Sequence, residues 1–345
     1  MKKILITGGA GFIGVNLAEH LLASRAHYVV IYDNLSRKGV ENNLKYLLSL
    51  GYKNLKFIKG DVRDYKKLKE VVRDCREVYH LAAQVAVTNS VADPLNDFEI
   101  NALGTLYLLE ALRKNSPESI LVFASTNKVY GELKHLKLKE DKTRYLPVSN
   151  KKGISENENL DFHSPYGNSK GTADQYVRDY YRIYGLKTLV FRQSCIYGIH
   201  QYGNEDQGWV AHFIIKSLLG KKINIYGDGK QVRDLLEVRD LIRAYTMSVR
   251  KIESVKGSIF NIGGGIENTF SLLELIDFLS KTLNKQIRYE FFQWRPGDQK
   301  IFISDNTKLK RELKWEPRIS AEIGIKALIE WIKNNLEIIR KINKK

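Results

Sequence analysis

The residues best suited to chemistry lie in two short segments, ASTNKVYG at 124–131 and SPYGNSKG at 164–171. The second contains Tyr166 and Lys170, whose four-residue spacing puts both side chains on one face of a helix. A phenol has an ordinary pKa of about 10, which must be lowered before the phenol can accept a proton near neutrality. The charge of Lys170 and the N-terminus of the helix would both lower it. Tyr166 is therefore a candidate general base.

Spacing alone does not distinguish this pair, because Tyr and Lys are frequent in the chain. The same spacing occurs at Tyr52/Lys56, Tyr65/Lys69, Tyr130/Lys134 and Tyr226/Lys230. Tyr166 differs from these in position. Its helix follows a strand that ends near Ser125 and Thr126 and leads to a further strand, at the sheet edge where doubly wound folds bind their ligands.

The segments that position these residues alternate between strands and helices. Short apolar runs predict strands at 4–7, 28–33, 55–61, 77–83, 119–125 and 187–194. Helical patterns such as VNLAEHLLA and FEINALGTLYLLEALRK lie between them. Apolar strands that alternate with amphipathic helices indicate βαβ units and a parallel sheet covered on both faces. The sequence therefore predicts an α/β fold, a doubly wound parallel sheet of the Rossmann type.

A glycine loop stands between the first strand and the first helix. It reads TGGAGFIG, with Gly8, Gly11 and Gly14 three residues apart. Glycine permits a tight turn and the close approach of a phosphate, and the N-terminus of the helix offers N–H groups and a partial positive charge. Asp33 follows after about 20 residues, at the end of the second strand. This combination predicts a dinucleotide-binding site.

The acid at the end of the second strand favours NAD over NADP. Asp33 can accept hydrogen bonds from the adenosine ribose and would repel a 2′-phosphate. Arg37 and Lys38 leave an alternative open, since they would pair with a 2′-phosphate, line the diphosphate or face water. Asp61 and Val62 are placed to meet the adenine, although a plain Gly-Asp turn explains them equally. The positive charge of a nicotinamide would lower the phenol pKa further.

The chain changes character after about residue 195. A short strand at INIYG, a helix around 238–250 and a strand-turn at NIGGG replace the earlier alternation. We predict an NAD-binding Rossmann domain over 1–194, with residues about 232–258 packed on it, and a smaller substrate-binding lobe over 195–345. The long charged span 132–165 is either a surface loop or a flap over a ligand.

Composition excludes several classes of protein. The 345 residues are 43% hydrophobic and 28% charged, which is typical of a globular chain long enough for two cores. Cys75 and Cys195 are its only cysteines, so neither a disulfide framework nor a metal site is supported, and a reducing cytoplasm fits best. No run reaches the roughly 18 apolar residues of a membrane helix, and the N-terminus leads into a strand instead of a signal peptide.

The order of the motifs resembles a known family. TGGAGFIG, the acid after the second strand, HLAAQ, STNKVYG and YGNSK occur in the order found in the extended short-chain dehydrogenase/reductase superfamily, the nucleotide-sugar epimerases and dehydratases. The later GDGKQVRDLLEVRDL, NIGGG and RPGDQKIFISDNTKLKRELKWEP resemble the substrate-lobe motifs of the same group. The resemblance covers almost the whole chain and implies an NAD-dependent enzyme that acts on a nucleotide sugar.

The resemblance also implies roles for single residues. Thr126, Tyr166 and Lys170 would form the catalytic trio: Tyr166 removes the proton of a sugar hydroxyl, Thr126 hydrogen-bonds the same oxygen, and Lys170 holds the nicotinamide ribose. The cofactor would contact Tyr166 and Lys170 together with Gly8, Gly11, Phe12, Ile13, Gly14, Asp33, Asn34, Ser36, Arg37, Asp61, Val62, Leu81, Ala82, Ala83, Gln84, Asn101 and Ser125.

The substrate residues are implied in the same way. They are Asn127, Lys128, Cys195, Gln207, Gly208, Trp209, Val210, Arg233 and Arg295. Arg233 and Arg295 match positions that grip the substrate diphosphate, a role suited to guanidinium groups, although surface arginines would look alike in sequence. Cys195 stands where many relatives place an asparagine that anchors the substrate.

The residues after Thr126 bear on the type of reaction. Dehydratases of the superfamily carry Asp-Glu there, an acid and a base that eliminate water after oxidation, whereas this chain has Asn127 and Lys128. We therefore expect oxidation to a transient keto-sugar and re-reduction on the opposite face, which is epimerisation. STNKVYG, DNLSRKG, DFHSPYGNSKG, QGWV and GKQVRD are most similar to the CDP-tyvelose (CDP-paratose) 2-epimerases, which implies inversion at C2 of a CDP-hexose.

Several alternatives stay open at this point. A 4-epimerase of a UDP-hexose or a 2-epimerase of another nucleotide-hexose fits the same motifs, and a 4,6-dehydratase or reductase fits them less well. The net charge of +17 leaves room for a non-catalytic relative that binds nucleic acid, although a solvated lysine-rich surface is the simpler interpretation. The helices over 96–114 and 166–184 lie where relatives dimerise, so the resemblance implies a homodimer or homotetramer. Nucleic acid, membrane and metal are not expected as partners.

Overall fold

The computed structural model describes residues 1–149, 152–295 and 297–344. Its strands are β1 (Lys2–Thr7), β2 (His27–Asp33), β3 (Leu55–Lys59), β4 (Cys75–His80), β5 (Ile120–Thr126), β6 (Leu138–Glu140), β7 (Tyr145–Pro147), β8 (Lys187–Gln193), β9 (Cys195–Tyr197), β10 (Ile223–Tyr226), β11 (Val232–Glu237), β12 (Ile259–Ile262), β13 (Thr269–Ser271), β14 (Tyr289–Phe292) and β15 (Ile301–Phe302).

The α-helices are α1 (Phe12–Ala23), α2 (Val40–Ser49), α3 (Tyr65–Val71), α4 (Val87–Ala92), α5 (Pro94–Phe98), α6 (Gly104–Asn115), α7 (Ser164–Tyr184), α8 (Trp209–Leu218), α9 (Val238–Arg250), α10 (Ile252–Val255), α11 (Leu272–Leu283), α12 (Thr307–Leu313), α13 (Ala321–Asn334) and α14 (Leu336–Lys344). A π-helical turn covers Glu99–Leu103, and 3₁₀ turns cover Asn127–Tyr130 and Ile266–Asn268.

Within the described residues, seven strands form one sheet in the order β12-β8-β5-β4-β1-β2-β3. β1 pairs in parallel with β2 and β4, and the pairs β2–β3 and β4–β5 are parallel as well. Ile4, Leu5 and Ile6 of β1 are all fully buried, because side chains on both faces of the strand are covered. Strand order and burial confirm the predicted doubly wound Rossmann sheet.

One edge strand of this sheet comes from late in the sequence. β12 lies next to β8, and the predicted NIGGG strand-turn begins at its third residue, Asn261. Its residues are all buried, and the Phe260 ring lies 5.6 Å from the Phe191 ring of β8, between centroids. The contact between Phe260 and Phe191 packs β12 against β8.

Proximity of Cα atoms groups the chain into two compact units. Unit 1 consists of Met1–Thr126, Pro165–Arg192 and Ile242–Phe260, and unit 2 consists of Asn127–Ser164, Gln193–Leu241 and Asn261–Lys345. The predicted division into an NAD-binding domain over 1–194 and a substrate-binding lobe over 195–345 stays a prediction.

The core of unit 1 lies between the sheet and the helices that cover it. One cluster joins Leu5, Val78 and Phe123 of the strands to Leu108 of α6 and Val177 of α7. Burial of such apolar side chains stabilises the unit by about 1.5–3 kcal/mol for each large residue. The helices α6 and α7 are therefore fixed against the strand ends that carry the candidate catalytic residues.

Unit 2 is built around β11, which pairs with β9, β13 and β15. In the span that the sequence left as a surface loop or a flap, β6 and β7 form an antiparallel hairpin. Arg144 of that hairpin forms two hydrogen bonds with the carboxylate of Glu274, at 2.7 and 2.6 Å. Ile154 donates its N–H to the carbonyl of Ile303 at 2.7 Å. The described part of this span is thus anchored within unit 2.

A neutral histidine is buried at the end of β4. His80 lies with Nδ1 2.6 Å from the Thr7 hydroxyl and Nε2 3.0 Å from the Thr105 hydroxyl. Burial lowers the pKa of His80 to about 3, and the charge of Lys170 contributes in the same direction. The unfolded chain therefore binds a proton that the folded protein does not, between about pH 6.5 and 3. This contribution to stability is present above that window and is lost as the pH falls through it.

We expect His80→Asn to remove this part of the acid sensitivity. Between about pH 7 and about pH 4.5 the wild type should lose about 2–3 kcal/mol more free energy of unfolding than the variant, at about 1.4 kcal/mol per pKa unit. Urea denaturation of both proteins at the two pH values measures the difference. Equal losses would show that the imidazole is not held neutral by burial.

Candidate active site

At two predicted positions of the loop between β1 and α1, any residue larger than glycine would clash with the backbone. Gly8 has φ +67°, and a Cβ there would lie 2.6 Å from the backbone N of Ala82. A Cβ on Gly14 would lie 2.6 Å from the carbonyl O of Gly8. The first N–H groups of α1, at Phe12 and Ile13, have no acceptor within the helix, so an anionic phosphate suits them. The loop therefore fits a dinucleotide diphosphate.

Asp33 connects the end of β2 to this loop. Its Oδ2 accepts the N–H of Ala10 at 3.0 Å, and its Oδ1 accepts the N–H of Leu35 at 2.8 Å. Burial raises the pKa of Asp33, and the two N–H groups only partly oppose the rise. The Asp33 carboxylate is thus held in a fixed orientation at the strand end. The next two predicted cofactor residues bond each other: Asn34 Oδ1 accepts the N–H of Ser36 at 3.0 Å.

The residues proposed to meet the adenine are engaged by their neighbours. Hydrogen bonds from Arg63 are the main cause that lowers the pKa of Asp61 to about 2, and Asn34 adds a bond of 2.9 Å. Val62 is buried, close enough to Gly104 that a Cβ there would lie 2.8 Å from it. Burial lowers the pKa of Arg37, which the sequence placed near the diphosphate or a 2′-phosphate.

The segment after β4, which contains Leu81, Ala82, Ala83 and Gln84, is fixed by a polar network. The N–H of Gln84 donates to Oδ1 of Asn101 at 2.9 Å, and Nδ2 of Asn101 donates to the carbonyl of Gln84 at 3.0 Å. Asn101 lies in the π-helical turn, a distortion that is frequent at functional sites. Asp97 and Ser169, which the sequence did not single out, bond the same asparagine.

The predicted catalytic residues of unit 1 lie together where α7 covers the end of β5. Tyr166 and Lys170 are buried with 9% and 3% of their surface exposed. Nζ of Lys170 donates to the carbonyl of Ala124 at 2.7 Å and lies 4.1 Å from the ring centre of Phe123. Thr126 and Tyr166 are joined by a side-chain hydrogen bond. The trio is therefore assembled within one unit.

The electrostatics of this trio differ from the sequence expectation of a lowered phenol pKa. Burial raises the pKa of Tyr166 to about 12; the hydrogen bond with Thr126 opposes this rise, and the charge of Asp97 adds to it. Burial lowers the pKa of Lys170 to about 7, against the negative charges of Asp174 and Asp97. Desolvation outweighs the neighbouring charges for both groups. A lowered phenol pKa therefore requires a further positive charge, such as that of a nicotinamide.

In unit 2, Lys128 and Arg233 share one carboxylate. Nζ of Lys128 lies 3.4 Å from Oδ1 of Asp298, and Arg233 donates to the same Oδ1 at 2.7 Å. Burial acts to raise the pKa of Asp298, but the charges of Lys128 and Arg233 outweigh it and hold the pKa below its usual range. Burial lowers the pKa of Lys128, and Asp298 opposes this shift. Beside this cluster, Asn127 donates to Oε1 of Gln299 at 3.1 Å.

Cys195 and Arg295 have other neighbours in the same unit. The indole N–H of Trp209 donates to Sγ of Cys195 at 3.3 Å, and burial raises the pKa of the thiol. The guanidinium of Arg295 lies 4.0 Å from the ring centre of Tyr226 and 3.5 Å from Oδ1 of Asp206. Cys195 thus accepts a hydrogen bond as a neutral thiol.

The predicted segment Gln207–Val210 lies at the start of α8. Gln207 donates its N–H to the side chain of Asn204 at 2.9 Å, and Gly208 adopts φ +75° before the helix begins. Val210 is 2% exposed and belongs to the apolar core of unit 2. The side chain of Val210 packs in this core, so contacts with a substrate would have to be made by the neighbouring residues of the segment.

Five residues with clear roles in these clusters were missed by the sequence reasoning. They are Arg63, Asp97, Ser169, Asp174 and Asp298. Asp174 had only a partial signal: it follows Lys170 by four residues, but Asp234 follows Lys230 at the same spacing. Arg63, in GDVRD, and Asp298, in RPGD, had no such signal, because these segments do not reveal which side chains the two residues bind.

Two histidines of unit 2 lie outside the clusters described above. His212 is buried, which lowers its pKa to about 4, and His163 lies 3.1 Å from Glu132. Across residues 1–149, 152–295 and 297–344, no group of three His, Cys, Asp or Glu side chains is arranged to hold a metal ion. Over the same ranges, no helix combines the length and the apolar character needed to cross a bilayer.

We expect Asp33→Asn to reduce the preference for NAD. Loss of charged hydrogen bonds to the ribose should weaken NAD binding by roughly ten- to a hundredfold, while removal of the negative charge should improve binding of NADP. Fluorescence titration with each cofactor measures the ratio of the two affinities. Asp74→Asn is the matched control, because Asp74 is exposed and has φ +59°, which Asn tolerates. An unchanged ratio in Asp33→Asn would contradict the role of this carboxylate.

Comparison with known proteins places this geometry in a family. The family model described as GDP-mannose 4,6 dehydratase matches residues 5–328. CDP-paratose 2-epimerase of Salmonella typhi is 44% identical over 336 residues, which cover 95% of this chain and 98% of that protein. dTDP-glucose 4,6-dehydratase of Salmonella typhimurium is 32% identical, with 99% of this chain and 95% of that protein covered.

Solved structures give the same result. UDP-glucuronic acid 4-epimerase from Bacillus cereus, solved with UDP-glucuronic acid and NAD, has a TM-score of 0.84 and 29% identity over 96% of this chain and 99% of its own. The NAD in that structure agrees with the cofactor predicted here. The chain therefore belongs to the GDP-mannose 4,6 dehydratase family, within the superfamily of NAD-dependent nucleotide-sugar epimerases and dehydratases.

Proposed function

We propose that this protein is an NAD-dependent epimerase that inverts C2 of a CDP-hexose, of the kind that converts CDP-paratose to CDP-tyvelose. The observation that carries the proposal is the residue pair after Thr126, where Asn127 and Lys128 replace the Asp-Glu pair of dehydratases. The 44% identity to CDP-paratose 2-epimerase of Salmonella typhi supports both the reaction and the class of substrate.

The residues of unit 1 fit NAD. The glycine loop and the first N–H groups of α1 would hold the diphosphate, Asp33 the adenosine ribose and Lys170 the nicotinamide ribose. NAD held by these residues would supply a hydride acceptor for oxidation of the sugar carbon and a hydride donor for re-reduction on the opposite face, with no net oxidation.

Tyr166 would take the proton of the sugar hydroxyl and later return it. The hydrogen bond with Thr126 orients the phenol oxygen before substrate arrives. With a pKa of about 12 in the protein alone, the phenol is protonated at neutral pH. The positive charge of a bound nicotinamide would lower that pKa and so favour the basic form of Tyr166.

The acid and base that dehydratases carry after the threonine have no counterpart at Asn127 and Lys128. Residues 124–131 contain no carboxylate. The carboxylate bonded to Lys128 is Asp298, and the charges of Lys128 and Arg233 keep its pKa low despite burial. An ionised carboxylate bound by two cations is neither a proton donor nor a strong base near neutrality. These residues therefore favour oxidation and re-reduction over elimination.

The cations of unit 2 suit a nucleotide diphosphate. Lys128 and Arg233 place two cationic groups around one carboxylate, so the cluster attracts a further anion. Arg295 offers a second guanidinium, stacked on Tyr226. We assign Arg233 and Arg295 to the diphosphate because planar guanidinium groups bind phosphate oxygens in pairs.

The C2 reaction is tested with CDP-sugars in heavy water. We expect NAD-loaded protein to interconvert CDP-paratose and CDP-tyvelose, with inversion at C2 seen by proton NMR and no solvent deuterium on the inverted carbon. Inversion at C4 of UDP-glucose in a parallel reaction would select the alternative 4-epimerase. Loss of water with solvent deuterium on a neighbouring carbon would identify a dehydratase, and failure to invert any CDP-sugar would remove the C2 assignment.

The catalytic role of the phenol is tested by Tyr166→Phe. Loss of a general base should lower kcat by about 10²–10⁴-fold, with NAD still bound. Tyr176→Phe is the matched control, because Tyr176 lies on the same helix with 42% of its surface exposed, and it should retain wild-type turnover. Full activity of Tyr166→Phe would exclude the proposed mechanism.

A further inference from the structure

Helix α7 holds the end of β5 at three points. The pairs are Tyr166 with the Thr126 hydroxyl, Lys170 with the Ala124 carbonyl at 2.7 Å and Asp174 with the Ser125 hydroxyl at 2.7 Å. The three helix residues are spaced four apart and so form one stripe. The proposed mechanism uses the first two pairs and gives the third no task.

Asp174 is fully buried and has partners on both oxygens. Nε of Arg192 donates to Oδ2, and a terminal N–H of Arg192 donates to Oδ1, each at 2.9 Å. The exposed fractions of the two side chains are 0% and 3%. Apolar residues of similar size are often at least as stabilising as a buried ion pair. Stability alone therefore does not explain a desolvated pair at this position.

We propose that Asp174, held by Arg192, is a positioning residue of the active site: it fixes Ser125, and with it Thr126, and it places a negative charge one helical turn from Lys170. The inference rests on the proposed function, in which the catalytic trio acts on a sugar hydroxyl. Asp174 touches none of the reacting atoms and acts through its neighbours.

The charges around Lys170 give this position its effect. Asp174 on the same helix and Asp97 on α5 act on Lys170, which in turn acts on His80 of β4. Burial lowers the pKa of Lys170, and Asp174 is the largest influence that opposes burial. Without Asp174 the pKa of Lys170 falls further below about 7, so a larger fraction of Lys170 is uncharged at neutral pH. The phenol of Tyr166 then loses a positive neighbour, and its own pKa rises.

Asp174→Asn tests the charge while keeping an acceptor for Ser125. We expect kcat to fall by about ten- to a hundredfold with KM nearly unchanged, because positioning of the trio is disturbed. The rising limb of the pH profile of kcat should move to higher pH by about one unit. Asp179→Asn makes the same change at an exposed position of the same helix and should keep the wild-type profile.

Two further variants separate positioning from folding. Asp174→Asn with Arg192→Gln removes both buried charges, and we expect it to recover the melting temperature but not the pH profile. Ser125→Ala keeps the charge of Asp174 and removes its bond to β5, so kcat should fall while the position of the pH profile is kept. Recovery of kcat and of the pH profile together with stability in the double variant would reduce Asp174 to a structural role and overturn the proposal.

A measurement without sugar separates this inference from the proposed function. The ultraviolet difference spectrum between each NAD-bound protein and its Tyr166→Phe counterpart follows ionisation of the single phenol. Asp174→Asn should move that titration to higher pH, and Asp179→Asn should not. If the wild type inverts no sugar, the proposed function fails, but this titration still decides the role of Asp174. An unshifted titration in Asp174→Asn would refute that role.

Discussion

An ammonium group buried inside unit 1 has to be compensated from several sides, and the compensation of Lys170 determines the local structure. Removal of such a charge from water costs roughly several kcal/mol, even after the surrounding protein has relaxed. The Ala124 carbonyl accepts its proton at 2.7 Å, the Phe123 ring faces it at 4.1 Å, and Asp174 and Asp97 supply negative charge. The carbonyl and the ring both belong to the last residues of strand β5, so α7 lies against that end of the strand. The alignment of phenol and hydroxyl follows from this packing.

Unit 2 uses the reverse arrangement, with one carboxylate among cations. Lys128 and Arg233 both bond Asp298, and their charges hold its pKa low although burial acts against them. The surplus positive charge of this cluster is local and partly buried, whereas most of the net charge of +17 is spread over the chain. Salt screens such partly buried charges much less than exposed ones. Burial disfavours the charged form of Lys170 in unit 1 and of Lys128 in unit 2, and nearby carboxylates oppose this effect in both units.

Features that depend on neighbouring residues could be predicted from the sequence, and features that depend on distant ones could not. The glycine loop was readable because the clash that excludes a side chain at Gly14 comes from Gly8, within the loop itself. The stripe Tyr-x₃-Lys-x₃-Asp also occurs at Tyr226, Lys230 and Asp234, which lie on β10, a turn and β11 instead of one helix. Only the fold separates the two. The sequence suggested a lowered pKa for Tyr166, whereas burial, which depends on the packing of the whole unit, raises it. The position of β12 likewise involves a distant ring, Phe191 of β8.

The amide at position 127 shows how unit 2 itself disfavours a carboxylate there. Nε2 of Gln299 donates to the carbonyl of Gly131 at 2.6 Å, so its Oε1 is turned toward Asn127 and needs a donor. The side-chain N–H₂ of Asn127 supplies that donor at 3.1 Å. An ionised aspartate would instead oppose one oxygen to another in a buried setting, which costs at least the roughly 1–3 kcal/mol of an unsatisfied group. The preference for an amide at position 127 therefore depends on the hydrogen bonding of Gln299 and Gly131 as well as on residue 127 itself.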